Sequence, residues 1–292
     1  MSLETVKINL DTAKIILLSD DTHIAKKMRS IFFLRNITTD ESARILCEAF
    51  KSTSVLLKHE VAYVLGQMQI EETIPVLIKV LDDQNEDEIV RHEAGEALGN
   101  FPYRKDIAEA LERNIQCSSI PVRETCYIAR KKMQDSGSEI SEFGSRDPAY
   151  PLQGVSFEEA KETFLDTTKD IYLRYKAMFY LRDLGTKEAI EVLGRGMEDR
   201  SSLFKHEISF ICGQMANPHS IGFLVEAMGS EEEHGMVRHE CAEALGIIGT
   251  KECLEALVKY QYSKCDILRE SVEVAIDIHG YVNSNQGEYC EI

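Results

Sequence analysis

The chain has 292 residues, 43% hydrophobic and 28% charged, with 33 Lys and Arg against 50 Asp and Glu for a net charge of −17. That size buries a full core and excludes whole-chain disorder. The acidic balance argues against nucleic acid as a partner, because phosphate contacts need clustered Lys and Arg, and favours a cationic substrate. No run of 18 apolar residues predicts a membrane span, the start MSLETVKINLDTAKIILLSDD lacks the basic-then-apolar order of a signal peptide, and the eight Cys contain no C-x-x-C pair. Free thiols in a cytoplasmic protein are therefore expected.

Along the chain, related strings recur. KMRSIFFLRNI starts at Lys27, KHEVAYVLGQM at Lys58, RHEAGEALG at Arg91 and RETCYIARKKM at Arg123. Residues 134–156, QDSGSEISEFGSRDPAYPLQGVS, are rich in Ser, Gly, Pro and acids and predict a mobile linker. The series then repeats as RYKAMFYLRDL at Arg174, KHEISFICGQM at Lys205, RHECAEALG at Arg238 and RESVEVAIDIHG at Arg269, each 146 or 147 residues after its counterpart. The end, VNSNQGEYCEI, predicts a loose tail. The expected organisation is a four-unit half over 1–133, a linker over 134–156, a second four-unit half over 157–281 and a tail over 282–292.

Units of 31–33 residues fit antiparallel helix pairs. In the second unit Val61, Val64 and Leu65 form one apolar stripe. After the turn EET, Ile74, Val76, Leu77, Val80 and Leu81 form the next, with Pro75 tolerated in its first turn. Alternating strand patterns are absent from the sequence. The fold expected is all-α, an α-solenoid of eight helical hairpins in two pseudo-symmetric halves, each hairpin burying its apolar faces on its neighbours.

Four of the eight His precede Glu: His59-Glu60, His92-Glu93, His206-Glu207 and His239-Glu240. Each pair follows the leading basic residue of a middle unit. The flanking units carry Met28-Arg29, Glu124-Thr125, Tyr175-Lys176 and Glu270-Ser271 there. Four units do without His-Glu, so stacking does not require it. A lone His on a helix is ordinarily a surface or core residue, and a basic residue near Glu can be a simple salt bridge. Four copies at equivalent points point instead to one face where imidazoles and carboxylates converge. Imidazole with carboxylate suits divalent iron, manganese or zinc, and paired half-sites suggest two ions. Adjacent residues diverge by about 100° on a helix, so the pair fits better at a helix start or with one of its members free for another task.

These motifs, with RDPAYP between the halves and RYKAMFYLRDLG after it, closely resemble the deoxyhypusine hydroxylase family from about residue 25 to 280. The resemblance implies a solenoid of HEAT-like hairpins. It also implies a di-iron monooxygenase that uses dioxygen to hydroxylate the deoxyhypusine side chain of a eukaryotic translation factor, the last step of hypusine formation. It assigns His59, His92 and Glu93 to one iron and His206, His239 and Glu240 to the other. Glu60 and Glu207 would face the substrate amines, and Gly66, Met215 and Met236 would line the substrate pocket. EDEIV before Arg91 departs from GMV before Arg238, so the first-half rim is expected to differ. The acidic runs Asp82–Glu88 and Glu231–Glu233 would either steer a basic protein loop or serve as solvated turns. A cytoplasmic monomer with no membrane or nucleic-acid partner is expected. The rival readings are a metal-free HEAT-like protein-binding scaffold and a metal-dependent hydrolase.

Overall fold

A computed structural model describes residues 9–137 and 141–290. The remaining residues of the expected linker, 138–140, and of the expected tail, 291–292, lie outside them. Among the described residues the chain forms sixteen α-helices in eight pairs. In the first half these are α1 (Leu10–Leu18) with α2 (Ile24–Ile37), α3 (Asp40–Glu48) with α4 (Val55–Met68), α5 (Ile74–Asp82) with α6 (Glu88–Gly99), and α7 (Lys105–Asn114) with α8 (Ile120–Lys132). The second half has α9 (Phe157–Leu165) with α10 (Ile171–Leu184), α11 (Lys187–Arg195) with α12 (Ser202–Met215), α13 (Ile221–Gly229) with α14 (Gly235–Ile248), and α15 (Lys251–Leu257) with α16 (Asp266–Val282).

Each repeated string lies on an even-numbered helix, and these helices stack on one another as the inner layer. The apolar stripes pair differently from the sequence reading. The Ile74–Leu81 stripe packs chiefly on the helix after it, α6, and not on α4. The leading basic residue explains why. Arg91 Nε donates to the Leu81 carbonyl at 3.0 Å, Arg174 Nε to Phe164 at 3.0 Å and Arg238 Nε to Met228 at 2.9 Å. Each guanidinium satisfies a carbonyl at the end of the preceding helix and fastens that helix to its own.

The recurrent L-G or C-G of the inner helices sets their separation. A Cβ on Gly66 would lie 2.6 Å from Ala97 Cα, and one on Gly246 would lie 2.7 Å from Ala275 Cα. The backbones of α4 and α6, and of α14 and α16, are thus closer than any side chain at those points would permit. Side chains one or two turns earlier on neighbouring helices are brought within reach of each other.

The solenoid closes on itself at both ends of each half. At one junction Arg29 of α2 makes a bidentate pair with Asp277 of α16, at 2.8 and 2.9 Å. Two reciprocal bonds relate the halves. Ser54 Oγ donates to Glu270 at 2.5 Å, and Ser201 Oγ donates to Glu124 at 2.6 Å. Both serines also cap their helices, accepting from Leu57 N and Phe204 N at 3.0 Å. Arg29, Glu124 and Glu270 stand where the middle units carry His-Glu. The flanking units therefore use those positions to join the halves.

The segments expected to be mobile or loose make specific contacts over their described residues. Ser145, Asp147 and Ala149 are buried. Gln67 Oε1 accepts from Arg146 N at 2.9 Å, and Gln214 Nε2 donates to Ser145 Oγ at 2.8 Å. In the tail, Tyr289 stacks edge-on against Phe32 at 5.7 Å beneath the Arg29 guanidinium. Composition predicts mobility in these stretches and is silent on docking. The acidic runs are partly structural too: Glu86 pairs with Lys58 at 2.6 Å, Glu233 with Lys205, and Glu88 with His234 of the other half at 3.0 Å.

Gly66→Val is expected to lower stability by about 1–3 kcal/mol through overpacking against Ala97, read as a lower urea midpoint with an unchanged slope. A midpoint at or above that of the unsubstituted protein would show that the α4–α6 approach is not tight.

Candidate metal centre and substrate cavity

The four His of the His-Glu pairs come from α4, α6, α12 and α14 and meet in one layer. Ring centroids lie 5.5 Å apart for His59 and His92, 5.1 Å for His92 and His206, 5.4 Å for His206 and His239, and 5.0 Å for His239 and His59. His59 and His206, related by the repeat, are 5.8 Å apart. All four rings are buried, and all eight ring nitrogens lack a hydrogen-bond partner among the described residues. Buried polar nitrogens left without partners are costly, and so many in one place mark a site built for something else to bind.

The carboxylates are placed to complete that site. Glu93 Oε2 lies 3.3 Å from His59 Nε2, and Glu240 Oε2 lies 3.3 Å from His206 Nε2. His59, His92 and Glu93 offer ligand atoms all within 4.8 Å of one another. The other such group is His206 and His239 of the second half with His59 of the first, and Glu240 Oε2 lies 4.0 Å from His239 Nδ1. His59 thus stands between the two expected sets. The donor types, imidazole and carboxylate without thiolate, fit one or two divalent transition ions.

Burial, and then neighbouring imidazoles, hold His92 and His239 well below the usual histidine range. His206 is lowered to about 3, chiefly by burial and next by His59. These rings are neutral, the form that binds metal. The acids move the opposite way. Burial pushes Glu93 up to about 8, assisted by Glu240, and Glu60 and Glu240 up to about 8, assisted by Glu243. Glu207 stands well above the usual range through burial and then the nearby Glu96 and Asp147 carboxyls. A cation among these groups would reverse the repulsion and ionise them.

A cavity of about 310 Å³ opens onto this layer, reached by Glu60, Glu207, Glu93 and Glu240. Its apolar wall includes Met28, Phe32, Tyr63, Phe210, Ile247 and Ile278. Tyr63 and Phe210, another repeat-related pair, face each other at 5.9 Å. Glu60 and Glu207 therefore lie at the meeting of an acidic floor and an apolar channel. The structure does not place Gly66, Met215 or Met236 in the cavity wall. Gly66 is consumed by the contact with α6, Met236 is fully buried in the core at the start of α14, and Met215 ends α12 packed against the core. Gly213 and Gln214 line the cavity in that region.

Two acids went unread in the sequence. Glu96 and Glu243 each follow a His by four residues, in RHEAGEALG and RHECAEALG, and both line the cavity. Glu243 Oε1 lies 3.5 Å from His239 Nδ1 and accepts from Ser271 Oγ at 3.2 Å. The signal was their identical one-turn spacing from His, masked because the same Glu also fits the ordinary repeat skeleton.

The chain matches the HEAT repeats family over residues 14–99 and 43–129, and the PBS lyase HEAT-like repeat family over 173–199 and 237–261. It is 42% identical to deoxyhypusine hydroxylase of Danio rerio over 285 residues, covering 94% of this chain and 93% of that one. It is 38% identical to deoxyhypusine hydroxylase of Drosophila melanogaster over 282 residues, with the same coverage. The structure of human deoxyhypusine hydroxylase in complex with glycerol superposes with a TM-score of 0.89 at 35% identity, covering 93% of this chain and 96% of that one. With these relatives spanning nearly its full length and the His-Glu layer at its centre, the chain belongs to the deoxyhypusine hydroxylase family.

Proposed function

We propose that this protein hydroxylates the deoxyhypusine side chain of a eukaryotic translation factor, the last step of hypusine formation, as a dioxygen-dependent di-iron monooxygenase acting as a monomer in the cytoplasm. The observation that carries the reading is the layer of four buried imidazoles whose nitrogens make no hydrogen bond among the described residues, bordered by buried carboxyls. His59, His92 and Glu93 would hold one iron, and His206, His239 and Glu240 the other. Bound there, the irons supply the activation of dioxygen. Among the described residues no helix is long and apolar enough to cross a membrane.

The protein's own part is binding, orientation and exclusion of water. Deoxyhypusine presents two amines joined by methylenes. Glu60 and Glu207, held protonated by burial while the cavity lacks a cation, ionise as the amines arrive and accept charge-assisted hydrogen bonds from them. The methylenes between lie against Tyr63, Phe210 and the aliphatic wall, where water is displaced. Two fixed ends and a confined middle leave the chain few conformations, which presents one C–H bond to the His-Glu layer. Glu243, anchored by Ser271, orients the His239 ring.

The test is metal analysis with a visible spectrum, followed by turnover with and without oxygen. About two irons per chain, a charge-transfer band and oxygen-dependent hydroxylation are expected. Activity with zinc in the absence of oxygen would favour a hydrolase, and a protein that takes up no metal would favour a scaffold. His92→Ala is expected to lose at least half of the bound iron. Glu207→Ala is expected to keep its iron and lose turnover at least about a hundredfold. Loss of iron from Glu207→Ala would remove the division of roles.

The raised carboxyls give a pH signature in the metal-free protein. Glu60, Glu93 and Glu240 hold their protons to about 8 when folded but release them in the ordinary carboxylate range when unfolded. The unfolded state therefore binds fewer protons, and stability falls as pH rises toward 8. Above about pH 7 His92, His206 and His239 are neutral when folded and largely neutral when unfolded, so those three do not offset this. Urea midpoints of the metal-free protein should fall from about pH 7 to about pH 8.5, whereas the iron-loaded protein should show a smaller fall. Equal pH dependence in both forms would contradict it.

A further inference from the structure

The cavity lies between two repeat-related halves, yet its two sides differ. One side is walled by Met28, Phe32 and Arg35 of α2 with Val274 and Ile278 of α16. The repeat places Tyr175, Phe179 and Arg182 of α10 with Ile128 and Lys132 of α8 at the equivalent points of the other side. That second side is filled. Residues 141–149 run into it, and Pro148 packs by Ile128, Lys132 and Tyr175 around a void of only about 10 Å³.

The filling is anchored by the halves' own related residues. Gln67 and its counterpart Gln214 both hold the segment. Gln67 accepts from Arg146 N at 2.9 Å and donates to Arg146 O at 3.2 Å, and Gln214 donates to Ser145 at 2.8 Å. Asp147 pairs with Arg182 at 2.7 Å, and that guanidinium, 1% exposed, also lies 4.7 Å from the Phe143 ring. Lifting the segment would strip the buried Arg182 of Asp147 and leave it the exposed Asp183 at 2.8 Å and Gln214 at 2.9 Å, which disfavours lifting. Arg35, the counterpart of Arg182, lines the cavity with no hydrogen-bond or ion-pair partner among the described residues. Phe143, Gly144 and Ser145 meanwhile form part of the wall of the remaining space.

We propose that residues 141–149 are a built-in plug that gives a pseudo-symmetric cavity a single entrance, so that the substrate side chain enters between α2 and α16 and ends against Glu207 on the plugged side. Glu207 is assigned to the blind end because α12, which carries it, packs against α8 and α10 beside the plug and the plug's Asp147 is among its carboxyl neighbours, whereas Glu60 lies on α4, which packs against α2 and α16. The entering segment passes Phe32, Ile247 and Ile278, with Arg35 placed to receive a carbonyl or carboxylate of the protein that carries it. This assignment rests on the functional reading above for the identity of that protein.

The test uses iron-loaded full-length enzyme with the photo-crosslinker p-benzoylphenylalanine at Ile247, 38% exposed beside the open side, or at Tyr103, 68% exposed beside the plug. The deoxyhypusine-bearing translation factor is added without oxygen, so that crosslinking reports binding alone. Crosslinking from position 247 and not from 103 is expected. In air, Ile247→Trp should raise KM at least about tenfold with iron absorbance unchanged, and Tyr103→Trp should leave KM as it is. Crosslinking from 103, from both positions or from neither, or an unchanged KM for Ile247→Trp, overturns the single entrance. Crosslinking from 247 combined with no hydroxylation by the unsubstituted enzyme in air leaves the entrance standing and removes the functional reading.

Discussion

Burying four imidazoles beside acids that repel one another is the constraint on which the rest of this structure depends. Glu93 and Glu240 each lie 3.3 Å from an imidazole nitrogen, and Glu207 keeps an oxygen with no hydrogen-bond partner among the described residues. Such a cluster is tolerable only where the surrounding packing leaves it no alternative arrangement. The inner helices provide that packing. Glycines facing alanines draw α4 onto α6 and α14 onto α16, and guanidinium groups tie the ends of α5, α9 and α13 to the helices that follow them. The site is strained by design at its centre and compensated by close-packed layers around it.

The division of labour among the repeats follows from the same constraint. A ring made of two halves has two junctions and one centre. The middle units face the centre and carry His-Glu. The end units face the junctions, and at the equivalent positions they carry Arg29, Glu124 and Glu270, whose hydrogen bonds cross from one half to the other. One set of sequence positions thus serves two ends, chemistry in the middle units and closure in the outer ones.

Much of this was legible before any coordinates. Apolar periodicity and the 147-residue offset contain the helices and the halves, because stacking repeats must reuse their buried positions. The convergence of His59, His92, His206 and His239 followed from their equivalent placement. Other features were hidden for physical reasons. Hairpin pairing is decided by where Arg91 and Arg238 find carbonyls, ten residues back, which an apolar stripe does not encode. Glu96 and Glu243 recur within RHEAGEALG and RHECAEALG and so do not stand apart from the repeat itself. Gly66 looked like a pocket residue, yet its lack of a side chain answers to Ala97. The segment around Ser145 and Asp147 lacks hydrophobic periodicity, and its order comes from polar anchors on partners far away in sequence.

The reciprocal serine–glutamate bonds have a consequence for ancestry. Each half contributes one serine that gives and one glutamate that receives, so the two bonds obey the rule of an isologous two-fold contact. A half-length chain bearing both would carry the means to latch onto its own twin, and a homodimer of that kind needs only a tether to become this molecule. Fusion of such a pair would bring what no symmetric pair has, a single connecting segment, which lies on one side of the centre and not on the other.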